Sequence, residues 1–510
     1  LTTVRHHLPD VNIHWHRRDL RVADNRALAE ATADGDPVLP VFVLDPGVLD
    51  HASAVRVAVL LDALDSLRAN YRELAGDLLV VRGDPREELP RIADEYGAEA
   101  VYWNRDYSGL ARERDSAVRL ALDEAGVSRA AYHDELLYEP GSIRTNAGEH
   151  YSVFSYFWRK WRDREKDDPF DPPEAGAVAD SSRIGDRTLL DSGTDSDSKP
   201  PTDFVAEIPS LADLGYEEPD AEIPAMSTSA ARDRLADFCE DTVFRYAEDR
   251  DYPATDGTSR LSVHFKWGTI GVREVWRATE DAMARADGDP EQADDGKEED
   301  TEAAAVREFQ RQLAWREFYA HVLSARPDVV SANYREYEND IEWREDEAAL
   351  AAWKEGRTGY PIVDAGMRQL REEAWMHNRL RMLVASFLTK DLLLDWREGY
   401  DWFSERLADH DTANDVGGWQ WAASTGMDAQ PYFRVFNPMT QGERYDPEAE
   451  FVTTYVPELR GVPPAKIHEW HELGDEERAE LAPEYPAPIV DHAERREAAI
   501  SMFERARGDD

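Results

Sequence analysis

A single cysteine, Cys239, serves a chain of 510 residues. That excludes a disulfide within the chain and any zinc site built from cysteines. Long apolar runs are missing as well. No stretch approaches the roughly 18 consecutive apolar residues of a membrane-spanning helix, and the first residues carry no signal-type apolar segment. Positive charge is scarce: 59 Lys and Arg stand against 106 Asp and Glu, a formal net charge of −47, and only eight of the basic residues are Lys. An acidic surface repels phosphate until salt screens it, so the bulk charge announces no nucleic-acid partner. It fits instead a carboxylate-rich surface that stays soluble in molar salt, and it leaves room for a local basic cleft. The two standard nucleotide loops, GxGxxG and GxxxxGK followed by Ser or Thr, are also absent. These absences describe a cytoplasmic protein without membrane contact. The hydrophobic fraction of 42% is ample for sizeable cores.

What is present changes along the chain. Short β-branched or aromatic runs occupy 11–16, 37–45, 77–83, 98–106 and 129–138. Helical segments lie between them, among them DNRALAEATADG with an Asp-Asn start, and EELPRIADEYG with a Gly end. This alternation predicts an α/β domain, a doubly wound parallel sheet, over 1–140. Pro, Asp, Ser and Gly then dominate, and 141–226 reads as an acidic, partly disordered interdomain linker. From 227 the strand signals stop. The segments 229–251, 303–327 and 363–396 carry helical spacing, the last long enough for two helices. An all-α domain is expected over 227–485, with an exposed acidic loop at 287–300 and a short C-terminal helix or tail over 486–510.

Several constellations carry chemistry. GTSRLS (257–262) offers free N–H groups and two hydroxyls before a helical run, which suits either a phosphate cradle or an ordinary N-cap. DHDTANDVGGWQWAAST (409–425) sets Asp409, Asp411 and Asp415 beside a Gly pair and two Trp. A calcium loop starting at Asp409 would need Gly at its sixth position and Glu at its twelfth; Asn414 and Gln420 stand there, so it fails. His410 with its carboxylates is the remaining transition-metal candidate, and no metal is assigned. Trp315, Trp343, Trp353, Trp375, Trp396, Trp419 and Trp421 all fall in the helical domain, where indoles pack cores and can also carry electron holes beside a redox cofactor. Arg368, Arg371, Arg379, Arg381 and Arg397 form the densest positive run, suited to local carboxylates or to a phosphate cleft.

HWHRRDLRVADNRAL, RYAEDRDYPATDGTSRLS, RQLAWREFYAH, the block 359–399 and DHDTANDVGGWQWAASTGMDAQPYFRVFNPMTQGERYD together resemble the photolyase/cryptochrome family, in the family order. The resemblance implies an α/β antenna domain and an all-α FAD-binding C-terminal domain. By position it places Tyr246, Thr258, Ser259, Arg260, Leu261 and Ser262 at the FAD diphosphate and its surroundings, with Phe309 nearby. Asp409, Asp411 and Asp415 fall near the flavin ring and ribose, and Arg381 pairs with Asp409. Trp419, Trp396 and Trp343 match an electron-transfer chain from the flavin to the surface. Trp315 and Trp421 match the walls of the lesion pocket. Asn378, Arg379 and Met382 match residues facing the lesion, and Arg250 and Gln441 match DNA contacts. The implied function is blue-light-driven splitting of cyclobutane pyrimidine dimers in UV-damaged DNA by excited reduced FAD, acting as a monomer. The block 102–115 resembles that of enzymes with an 8-hydroxy-5-deazaflavin antenna; methenyltetrahydrofolate or no antenna are the alternatives.

Two residues depart from the dimer-repair pattern. Gln312 stands where those enzymes carry Glu, as in (6-4) photolyases and animal cryptochromes. MHNRLRM, however, lacks the His pair typical of (6-4) repair, since Asn378 and Arg379 follow His377. Asp415 replaces an Asn facing flavin N5, as in plant cryptochromes; burial is expected to favour its protonated form, a proton donor to the flavin. Both point to a blue-light photoreceptor without repair activity as the alternative function.

Overall fold

The structure is a computed structural model that describes residues 11–179, 207–289 and 301–509. Much of the expected acidic loop at 287–300, and the middle of the expected linker, lie outside the described residues.

Five parallel strands open the chain: β1 (Val11–His16), β2 (Val38–Leu44), β3 (Leu79–Arg82), β4 (Ala98–Asn104) and β5 (Ser128–Tyr132), in the order β3-β2-β1-β4-β5. Every residue of β1 and β2 is buried. β2 reads as the continuous apolar run of a strand covered on both faces, whereas β1 buries Asn12, His14 and His16 between its apolar residues. The helices between them include α1 (Arg26–Thr32), α2 (Ala54–Glu73), α3 (Pro85–Tyr96) and α4 (Gly109–Ala125). Asn25 caps α1, accepting from the Leu28 N–H at 3.1 Å. Pro85 opens α3 and left-handed Gly97 closes it. The last strand ends at Tyr132, short of the run 129–138 expected from sequence. Asp134 instead turns to Arg21 and Arg273 in ion pairs whose side chains are at most 3% exposed. A buried charge must keep its partners, and this one leaves the strand to reach them.

No further strand follows among the described residues; an isolated bridge joins Val38 to Val178. The helical part includes α5 (Phe154–Arg162), α6 (Thr228–Glu240), α7 (Val272–Met283), α8 (Glu302–Ala325), α9 (Pro361–Glu373), α10 (Asn378–Ser386), α11 (Trp396–Arg406), α12 (Thr412–Ala422), α13 (Pro438–Tyr445) and α14 (His492–Arg507). The run 363–396 does divide. Ala374, at φ 51°, ends α9, and Nδ1 of His377 caps α10 at 3.2 Å from the Arg379 N–H. One apolar core gathers Trp353, Trp396 and Trp419, and a second gathers Trp161, Phe309 and Phe318.

Buried polar contacts dock the two parts. The strand order reverses between β1 and β4, where such sheets open a crevice at the carboxyl ends. Arg18 stands there, 2.8 Å from Glu135 and 2.9 Å from Asp411 of the helical part. Arg273 of α7 binds Asp24 and Asp134. Glu317 of α8 accepts from the N–H groups of Leu137 and Tyr138 and from the Trp161 indole. Burial pushes its carboxyl up to about 7. Among the described residues no helix is long and apolar enough to cross a membrane.

Candidate functional site

A cavity of about 480 Å³ opens in the helical part, within the size range of small-molecule sites. Three helix faces build most of it. Gln312, Trp315, Arg316 and Tyr319 come from α8 at spacings of one helical face. Asn378, Arg379, Arg381, Met382 and Ala385 come from α10, and Asn414, Asp415, Gly418, Trp419 and Trp421 from α12. Tyr246, Arg250, Asp251 and Thr258 close the loop side, and Phe403 comes from α11. Twelve residues expected at the site from sequence therefore meet in one place: Tyr246, Arg250, Thr258, Gln312, Trp315, Asn378, Arg379, Arg381, Met382, Asp415, Trp419 and Trp421.

The remainder lie elsewhere. Phe309 packs behind Tyr246, ring centroids 5.2 Å apart. Leu261 is buried, and Arg260, at φ 49°, lies 4.4 Å over the Trp375 ring. The Ser262 hydroxyl accepts from the Trp375 indole at 3.2 Å, and the Ser259 carbonyl accepts from Arg234 at 3.0 Å. The N-cap of the following short helix is Leu261, without a side-chain cap, so neither Thr258 nor Ser259 serves as one. Gln441 stands half-buried on α13, outside the lining. Asp411 turns away from the cavity. It caps α12, accepting from the Asn414 N–H at 3.0 Å and its amide at 2.8 Å, and binds Arg18. Burial opposes its charge, yet Arg18 and Lys266 hold its carboxyl far below the usual range.

The lining carries four Arg and two Asp, a cationic patch in a chain of net charge −47. Each expected cation is anchored. Arg381 lies 2.8 Å from buried Asp409, Arg379 binds Asp251 and lies over the Tyr445 ring, and Arg250 binds Glu308. The arginine run seen in sequence does not form one cleft, however. Arg368 binds Glu458 at 2.7 Å, Arg397 binds Asp395 at 2.8 Å, and Arg371 is exposed; only Arg379 and Arg381 of the five reach the cavity.

Trp419 packs its indole against Gly399 of α11, where a Cβ would stand 2.0 Å from the ring. Phe403 and Trp353 meet it edge-on at 4.9 and 6.0 Å. Trp396, three residues before Gly399, is fully buried and donates to Asn333 at 3.0 Å. Trp343 is half-buried against Phe503 of α14. The Gly pair of α12 divides its work. A Cβ at Gly417 would stand 2.2 Å from the Tyr319 ring, so this residue lets α12 approach α8; Gly418 lines the cavity and has nothing within 4 Å of a Cβ position.

Sequence reasoning missed Tyr319, Arg316 and Asn414, which helical spacing from Gln312 and from Trp421 could have found. It weighed His410 only as a metal ligand. His410 Nδ1 stands 2.6 Å from Asp415 Oδ2, which also accepts from the Asp411 N–H at 3.1 Å; Arg381 is 3.8 Å from Oδ1. A different group, buried His14, His16 and Asp19, comes within metal-ligand distance. His16 has no free lone pair there. Nδ1 faces the Asp19 carbonyl at 3.0 Å and must carry the proton, leaving Nε2 to accept from Tyr71 at 2.6 Å.

Two observations leave the cavity open to a bound group that carries hydrogen-bond acceptors, and its four arginines favour an anionic one. The Trp419 indole N–H is buried without a partner among the described residues, and the wall at Gly418 is unfilled. Fold and site thus define a two-domain protein, α/β and helical, whose helical domain holds such a group beside an indole. The family models say which. Residues 12–175 match DNA photolyase and residues 309–505 match the FAD binding domain of DNA photolyase. The chain belongs to the DNA photolyase family. It is 56% identical over 510 residues to the deoxyribodipyrimidine photo-lyase of Halobacterium salinarum, across 98% of this chain and 100% of that one. The crystal structure of a bacterial class III photolyase from Agrobacterium tumefaciens superposes with a TM-score of 0.84 at 32% identity, covering 100% of both chains. A Synechocystis cryptochrome shares the fold, with a TM-score of 0.83 at 23% identity over 97% of this chain and 99% of that one.

Proposed function

We propose that the protein is an FAD-dependent deoxyribodipyrimidine photo-lyase that splits cyclobutane pyrimidine dimers in UV-damaged DNA under blue light. The observation that carries this reading is the lining of one cavity, where Trp315, Trp421, Asn378 and Arg379 gather beside Trp419, Arg381 and Asp415. When bound, FAD supplies light absorption and one-electron chemistry. Arg381, fixed by Asp409, and Asp415 orient the ring, while Tyr246, backed by Phe309, and the segment Thr258–Ser262 hold the diphosphate end. Asp411 acts indirectly by fixing Asn414. Trp315 and Trp421 give a flipped dimer apolar walls. Gln312, Asn378, Arg379 and Met382 face the dimer, and Arg250 and Gln441 contact the strand. Trp419, Trp396 and Trp343 pass electrons inward from the half-exposed end.

The photoreceptor alternative rested on Asp415 and Gln312. Arg381 and the Asp411 N–H offset a charge on Asp415, so it need not repel a reduced flavin. The Gln312 amide donates to Glu308 at 2.8 Å, which keeps a carboxylate one turn away. (6-4) repair finds less support: the cavity lining contains no His, and burial pushes the imidazole of His377 down to about 4. For the antenna we favour 8-hydroxy-5-deazaflavin over methenyltetrahydrofolate or none. A separate cleft of about 500 Å³ lined by Arg105, Arg112, Arg119 and Arg129 lies at the block 102–115, and fluorescence of the extracted chromophore identifies its occupant. We take the protein to act as a monomer in the cytoplasm.

Illumination of the reduced holoprotein with dimer-containing DNA in molar KCl is expected to remove the dimers. Unchanged dimer content with intact flavin photochemistry would sink the repair reading and leave the photoreceptor.

A further inference from the structure

We infer that His410 is a proton relay, carrying protons between solvent and Asp415, which exchanges them with the cofactor in the cavity. This rests on the reading of Asp415 as a flavin-facing group.

The geometry is that of a two-residue wire. Asp415 lines the cavity; His410 does not, and stands behind it. Their contact, Nδ1 to Oδ2, is 2.6 Å, short for a hydrogen bond between side chains. The Asp411 N–H, 3.1 Å from the same oxygen, fixes Oδ2 from the backbone. The other oxygen, Oδ1, is left on the Arg381 side, 3.8 Å away. The far end of the imidazole is open: Nε2 has no hydrogen-bond partner among the described residues, and the side chain keeps 11% of its surface exposed. Tyr400 of α11 packs edge-on against the ring at 5.6 Å and limits its rotation. The charged and titratable groups around the pair come from several elements. They are Arg381 from α10, with Asp409 paired to it, Arg56 from α2, Tyr400 from α11 and Asp411 beside His410. Arg381 and Arg56 offset a carboxylate charge on Asp415, so the pair can give up a proton without stranding an unbalanced anion.

The step balances as proton transfer alone. Asp415 delivers one proton from Oδ1 into the cavity as the cofactor gains an electron. His410, neutral with its proton on Nδ1, takes one proton from water at Nε2 and passes the Nδ1 proton to Oδ2, which leaves it neutral with its proton on Nε2. No electron leaves either residue. Release runs the same path backwards.

The test uses the FAD-loaded protein, illuminated with an external reductant, and follows the absorbance change that marks protonation of the photoreduced flavin, in H2O and D2O. Asp415→Asn is expected to abolish that change. His410→Gly is expected to slow it by at least about tenfold, with added imidazole restoring much of the rate. A His410→Gly rate within about twofold of the parent, with Asp415→Asn still abolishing the change, overturns the relay and leaves the Asp415 reading intact. Persistence of the change in Asp415→Asn overturns both. Should His410→Gly lose its flavin, His410→Asn decides. Its amide can still donate to Asp415 but has no titrating proton, so a slow, imidazole-insensitive change supports the relay and a parental rate overturns it.

Discussion

Trp419 meets two demands with one side chain, and the proposed function adds a third. Its ring lines the cavity and fills the core over Gly399, and it is the indole proposed to pass the electron to the cofactor. Its N–H has no hydrogen-bond partner among the described residues. Trp419→Phe therefore strands no buried acceptor, and its stability cost is confined to lost volume, about 1–2 kcal/mol. The redox consequence is larger, because a phenyl ring is far harder to oxidise than an indole. Photoreduction of the bound flavin is expected to slow by at least about tenfold, while the thermal midpoint moves by only a few degrees. Rapid bleaching of the flavin in this variant under the same light would remove Trp419 from the electron path. Asp415 shows how far a residue can be read without its neighbours. The sequence marks it as an acid in an unusual place and suggests that burial protonates it. The groups that converge on it are visible only in the fold: the His410 imidazole, the backbone N–H of Asp411 and, at 3.8 Å, the Arg381 guanidinium.

The pairing of α8 with α12 shows what an element contributes. Gly417 and Gly418 are adjacent, yet one faces a neighbouring helix and the other faces the cavity. Gly417→Ala must displace Tyr319; overpacking of this kind costs about 1–3 kcal/mol, offset by at most about 1 kcal/mol of helix propensity. Gly418→Ala meets no protein atom and should leave stability unchanged or raised by up to about 1 kcal/mol. It nevertheless places a methyl group in the cofactor space, so flavin retention is expected to fall while the fold is kept. Thermal melts and flavin-to-protein absorbance ratios separate the two cases, and full flavin content in Gly418→Ala would move the cofactor away from this wall. The helices and strands themselves were legible in sequence, because periods of 3.6 and unbroken β-branched runs follow from local chemistry. Their docking was not. Arg18 and Asp411 are 393 positions apart, and Arg273 and Asp134 are 139 apart. Nothing local to either residue names its partner. The resemblance placed Asp411 near the flavin ring and ribose; an Asp ahead of a helical run is also a preferred N-cap, and Asp411 holds that position in the fold.

At the scale of the molecule, the chain sets a net charge of −47 against a cavity lined by four Arg. The two fields act over different distances. Repulsion of DNA by the whole surface is long-range, and salt removes it: the screening length falls from about 10 Å at 0.1 M to about 3 Å at 1 M. Attraction at the cavity is short-range and survives. Each phosphate contact releases counterions and contributes roughly −0.9 to the slope of log K against log salt. All four arginines are already paired, with Glu308, Glu135, Asp251 and Asp409, and must exchange partners to reach phosphate. The attractive slope is thus smaller than four contacts would give, and the screened repulsion adds a term of opposite sign. Affinity for a dimer-containing duplex is expected to stay flat or to rise between about 0.1 and 1 M KCl, where a basic DNA-binding protein would lose several orders of magnitude. Dissociation constants measured across that range decide the matter. A steep loss, with a slope of about −4 or beyond, would mean that phosphate contacts outside this cavity dominate binding.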